Sequence, residues 1–120
     1  MLWLLVWLAR LAAREDGPFW YRGLAEEPES FAASVDDILT RQHAQAIVVG
    51  HSIVSTGRIG VRFGGKVIQI DTGMQPAYVT GGRASALEIE NGRFTAIYRD
   101  RRDALPVDAL TAASTSPGQR

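Results

Sequence analysis

Ile47-Val48-Val49-Gly50-His51-Ser52 is a short apolar run that stops on a glycine and a histidine. Three consecutive β-branched residues suit a pleated, buried strand, because branching at Cβ restricts χ1 against a helical turn. Gly50 then frees the backbone for a sharp turn and for close approach by a ligand. On this reading His51 stands just past the C-terminal edge of a buried strand, where an imidazole can reach a metal or a phosphate. The plainer alternative is a strand-end histidine that hydrogen-bonds only the next loop, and this stretch by itself does not separate the two.

On the N-terminal side, Glu26 to Gln42 predicts a helix. Pro28 suits the first turn, Glu26, Glu27 and Glu29 favour the positive end of the dipole, and Arg41 lies near the other end. Phe31, Val35, Ile38 and Leu39 recur at i, i+4, i+7 and i+8, which predicts one buried stripe. Asp36 and Asp37 fall off that stripe and read as a solvated face, not as a catalytic carboxylate pair. His43 is a polar helix-end residue with no assigned role. Further upstream Gly17-Pro18 breaks the chain, and Phe19-Trp20-Tyr21 leads into Arg22 and Gly23. Three aromatics in a row predict a stiff, well-packed loop with a guanidinium at its end. That planar fork of donors matches a phosphate, and the alternative is a surface arginine stacked on one of the aromatics. Residues 1 to 8 are strongly apolar but fall short of the about 20 apolar residues that span a bilayer. Leu4, Leu8 and Leu11 predict an amphipathic helix packed on the domain; a signal or membrane segment is the alternative, and no membrane is favoured as a partner.

On the C-terminal side the period changes. Ile59, Val61 and Phe63 alternate with Gly60 and Arg62, Gly64-Gly65 supplies a two-residue turn, and Val67, Ile68 and Ile70 return. Leu87 and Ile89 alternate with Glu88 and Glu90, Asn91-Gly92 predicts a second tight hairpin, and Phe94 to Tyr98 runs back. Two hairpins after a helix and a strand make the chain α+β, with mostly antiparallel strands and flanking helices. Between the hairpins, Asp71 follows a buried strand just as His51 does. If those strands are neighbours, both residues emerge at one rim and their loops wall one pocket; otherwise Asp71 is a turn residue accepting backbone hydrogen bonds. Gly64-Gly65-Lys66 and Gly81-Gly82-Arg83 lack the spacing and the following helix of a P-loop. Residues 1–103 form the domain, and 104–120 are expected to be a disordered tail.

Totals narrow the function further. The chain has 120 residues, 46% of them hydrophobic and 22% charged, which is enough for one small globular domain. Thirteen basic residues balance thirteen acidic ones, so no overall field recruits nucleic acid. The short cluster Arg99, Arg101 and Arg102 is interrupted by acidic residues, and no aromatic stacking pattern accompanies it. With no cysteine, disulfides and thiolate ligands are excluded, and His43 and His51 are the two histidines.

The ordering of Gly17 to Gly23 (GPFWYRG), Val48 to Ser52 (VVGHS) and Ile70 to Met74 (IDTGM) resembles the C-terminal half of a calcineurin-like metallophosphoesterase. The resemblance is to the bacterial branch related to Ser/Thr protein phosphatases, and it extends over most of residues 10 to 100. It implies half of a metallophosphatase-type β-sandwich and a parent class that hydrolyses phosphate monoesters, phosphoproteins among the possible substrates. It also implies two divalent metal ions (Mn, Fe or Zn) about 3.5–4 Å apart that activate a bridging water. By the resemblance, His51 is a metal ligand, Arg22 clamps the phosphate and stabilises charge in the transition state, and Asp71 and Tyr78 lie near the substrate. The family's Asp-x-His, Gly-Asp-x-x-Asp and Gly-Asn-His motifs and one further histidine are absent from this sequence. They are expected in a missing N-terminal half, without which the chain is inactive and holds no stable metal pair. The rival expectation is a non-catalytic module in which Arg22, His51 and Arg83 bind an anion.

Overall fold

Val67 and Ile68 are adjacent, both 0% exposed, and belong to two different apolar cores. Side chains alternate across a strand, so a strand apolar on both faces must lie between two layers. That strand is β3 (Val67–Gln69), the centre of a sheet with β1 (Ile47–Val49) on one side and β2 (Gly60–Arg62) on the other. β1 runs parallel to β3 and β2 antiparallel to it. The computed structural model describes residues 6, 7, 10–15, 17–75 and 77–107.

On one face of this sheet Val67 meets Phe63 and the buried residues Val35 and Leu39 of a helix, with Ile47 and Val49 packed alongside. That helix is the last of three pieces: α1 (Gly23–Glu26), a 3-10 turn (Glu29–Phe31) and α2 (Ala32–Gln42). The single helix expected over Glu26 to Gln42 is therefore interrupted. Glu27 and Pro28 are extended (ψ 147° and 161°), as residues flanking a proline ring tend to be. The stripe holds at Val35 and Leu39, Phe31 is half-buried, and Ile38 is exposed. Asp36 and Asp37 are solvated as expected, paired with Lys66 and Arg41. His43 ends α2 in a left-handed conformation, φ 50°.

On the other face Ile59 and Ile68 meet Phe94, Ala96 and Tyr98 from a second sheet of β4 (Ser85–Glu90), β5 (Arg93–Tyr98) and β6 (Arg102–Ala104). Both of its pairings are antiparallel. The buried Ile59 N–H donates to Tyr98 Oη at 2.9 Å and ties the sheets together. Asn91 and Gly92 both have positive φ, as a two-residue hairpin of the primed type requires. The α+β class holds, as helix on sheet on sheet.

Four further expectations change. β1 is an edge strand with Val48 41% exposed, not the buried strand that its β-branched run predicts, because only β3 pairs with it among the described residues. The turn between β2 and β3 is not Gly64-Gly65 alone: Phe63, Gly64 and Gly65 all have positive φ. This backbone reversal carries Phe63 off the face that Ile59 occupies and into the helix-side core. The predicted tail begins too early, because Ala104 lies in β6 and Leu105 and Val107 pack on the inter-sheet core; residues 108–120 lie outside the described residues. Phe19, Trp20 and Tyr21 are 72%, 52% and 55% exposed, so the loop before Arg22 is not well packed. No element among the described residues covers them. Of the N-terminal helix, residues 6, 7 and 10–12 have helical backbone; Leu4 and Leu8 lie outside the described residues. Among those described, no helix is long and apolar enough to cross a membrane.

Candidate functional site

The parallel pairing of β1 with β3 sets the site. Val49 stands opposite Gln69, so the next residues of both strands leave the sheet at the same end. Ile70 N–H still donates to Val49 O at 2.9 Å, and beyond it His51 and Asp71 emerge at one rim. This is the condition under which the two strand ends share a rim. The loops that follow touch each other as well. Val54 N–H donates to Asp71 O at 2.8 Å, and Gly57 (φ 63°) lies so close to Gly81 that a Cβ there would sit 2.6 Å from its carbonyl oxygen.

His51 is exposed and takes φ 65°, a left-handed conformation rare for a residue with a β-carbon. The sharp turn expected at Gly50 thus falls one residue later. Gly50 has no positive φ, and a Cβ on it would meet nothing closer than Ile70 Cγ1 at 4.0 Å. Strain of this kind gathers at binding sites, where surrounding structure holds a side chain in a set direction. Neither ring nitrogen is sealed in apolar packing.

Arg22 is half-buried, its guanidinium carbon 5.7 Å from the centroid of the Trp20 ring. The stacking alternative is therefore realised, and it leaves the N–H fork free: among the described residues no carboxylate pairs with it. Arg22 stands between two clefts. One of about 440 Å³ is lined by Glu15, Glu26 and Glu27 among others. The other, about 240 Å³, is lined by Tyr21, Arg22, Leu24, Ala25, Val49, Gly50 and Ser52 and contains no carboxylate. The three carboxylates of the larger cleft disfavour an anion there, and the smaller cleft carries no such charge. It brings Arg22 against the residues on either side of His51.

Asp71 takes its turn role. One δ-oxygen accepts from Gly73 N–H at 3.0 Å, two residues on. Tyr78 is 86% exposed on the following loop and lines none of the clefts described. Arg83 is also exposed.

Two supporting residues were not singled out by sequence. Thr72 is buried and its hydroxyl lies 2.7 Å from Arg83 O, to which it donates, and 2.8 Å from Ser85 Oγ, closing the base of the loop that bears Tyr78. Arg62 donates to the carbonyls of Leu24 and Glu27 and stacks on Phe63 at 4.6 Å, holding α1 and hence Arg22 against the sheet. An arginine inside an alternating strand was the one available signal for it.

Two divalent cations need several nitrogen and oxygen ligands each. Among the described residues no three His, Asp or Glu side chains converge, and one oxygen of Asp71 is already engaged. Among the described residues the donors do not by themselves make up a two-metal centre.

No family model matches the chain, nor does any solved structure. An uncharacterized protein of Schizosaccharomyces pombe is 33% identical over 91 residues, a stretch that takes in 72% of this chain and 26% of the yeast protein. The chain thus spans about a quarter of that relative's length.

Proposed function

We propose that this chain is the phosphate-gripping part of a phosphoester hydrolase of the metallophosphoesterase class, acting on phosphorylated substrates. The observation that carries the reading is the carboxylate-free cleft, which sets the unpaired guanidinium of Arg22 beside Gly50 and Ser52 at the end of β1. Arg22 binds the phosphate through two parallel N–H donors, and the Trp20 ring fixes the plane of that fork. His51 supplies one imidazole at the rim. The remaining metal ligands belong to the N-terminal half of the domain, outside this sequence.

The test has two arms. Inorganic phosphate titrated into the chain should shift the amides of Gly50 and Ser52, and Arg22→Ala should abolish the shifts. The chain joined behind a segment bearing the Asp-x-His, Gly-Asp-x-x-Asp and Gly-Asn-His motifs should hydrolyse p-nitrophenyl phosphate with manganese. His51→Ala and Arg22→Ala should each lower that turnover by at least about a hundredfold. Unchanged turnover in both variants sinks the hydrolase reading. Phosphate binding without any hydrolysis selects the anion-binding module.

A further inference from the structure

We propose that the open edge of β1 is the seat of a symmetric dimer, in which β1 pairs antiparallel with β1 of a second copy about a two-fold axis at Val48. Ile47 N–H donates to Lys66 O and Val49 O accepts from Ile70 N–H, so Ile47 and Val49 turn their backbone groups towards β3. In a parallel ladder alternate residues face opposite sides, which leaves the N–H and C=O of Val48 facing outwards. No other strand pairs with β1 among the described residues.

The four sheet edges differ in one respect. β2 carries Arg62, β4 carries Glu88 and Glu90, and β6 carries Arg102 and Asp103. Charges of this kind discourage edge-to-edge pairing. The run from Ala44 to Gly50, which contains β1, has neither charge nor proline. Val48 is 41% exposed, with exposed Ile70 on the same face.

A second copy fits this edge better than an unrelated strand because the strand is nearly palindromic. Rotation about Val48 sets Val48 against its own counterpart, each giving its N–H to the other's carbonyl, and sets Ile47 against Val49 on both sides. All three cross-strand pairs are then β-branched, a favourable combination on a sheet. The product is one six-stranded sheet, β2-β3-β1 continued by β1-β3-β2 of the second copy. The seam shares Val49 with the Arg22 cleft and competes with any half-domain docked on the same edge. The two readings still fail separately: a monomer that binds phosphate overturns the dimer alone, and a dimer that binds none overturns the anion site alone.

Sedimentation equilibrium of the full chain, from about 10 µM to about 1 mM, should show a monomer–dimer equilibrium with the Val48 amide protected from hydrogen exchange only at the higher concentrations. Val48→Pro removes the outward donor and no bond to β3. It should keep the far-ultraviolet circular dichroism and weaken dimerisation at least about tenfold. Val48→Lys keeps the donor but opposes two ammonium groups, and it decides the matter if the proline variant does not fold. A monomer throughout, a dimer indifferent to both variants, open-ended polymers, or a Val48 amide protected at every concentration would each overturn the proposal.

Discussion

His51 carries a β-carbon at φ 65°, where the carbonyl that follows crowds it. Glycine there removes the crowding, so His51→Gly should be more stable than His51→Ala by about 1 kcal/mol in urea unfolding, even as both lose any function of the imidazole. Equal stabilities would mean that the loop relaxes and that the ring is not held in a set direction. Thr72 works through a different term. Its hydroxyl serves Arg83 O and Ser85 Oγ in a buried setting, so the near-isosteric Thr72→Val should cost about 1–3 kcal/mol by leaving both without a partner. The turn role of Asp71 was readable in sequence because an Asx turn closes within two residues. Thr72 was not, because its partners lie 11 and 13 residues away and no local pattern brings them near.

The same distinction governs the elements. Asn91-Gly92 announced its hairpin because the turn chemistry is local, and the run Ile47–Val49 announced a strand because branching at Cβ restrains each residue by itself. Phe63 was misread because alternation assumes an extended backbone, and three successive left-handed residues end that assumption. β6 escaped notice for want of hydrophobic alternation: Arg102, Asp103 and Ala104 pair as an edge. The parallel neighbour of β1 is the element-level fact on which the site rests, and sequence could offer it only as a condition. What holds the two sheets in that relation is open to test. Tyr98→Phe leaves the buried Ile59 N–H without an acceptor and should cost about 1–3 kcal/mol, read as a lower denaturation midpoint with an unchanged slope. Leu105→Ala with Val107→Ala should cost about 2 kcal/mol together, since both side chains pack on the same core. A pair that unfolds like the parent would return residues 105–107 to the tail.

For the whole molecule, charge is balanced and local fields decide what binds. Thirteen positive and thirteen negative groups cancel, so an anion is not drawn in from a distance. Its affinity depends on the few charges around Arg22. Glu15, Glu26 and Glu27 line the larger cleft on one side of that guanidinium, while the smaller cleft on the other side has none. Charges at the surface act over a Debye length, ~10 Å at 0.1 M salt, and added salt shortens that reach. Three consequences follow for phosphate titrated into the chain and read by amide shifts. Arg22→Lys should weaken binding, because an ammonium offers a point charge where the fork offered two parallel bonds, and Arg22→Ala should remove it. Neutralising a repulsive neighbour by Glu26→Gln should tighten binding about two- to threefold at low salt, with the gain fading as salt is added. If Glu26→Gln has no effect while Arg22→Ala still abolishes binding, Glu26 lies outside electrostatic reach of the anion. If Arg22→Ala binds as the parent does, the anion lies elsewhere and the cleft beside β1 is not its site.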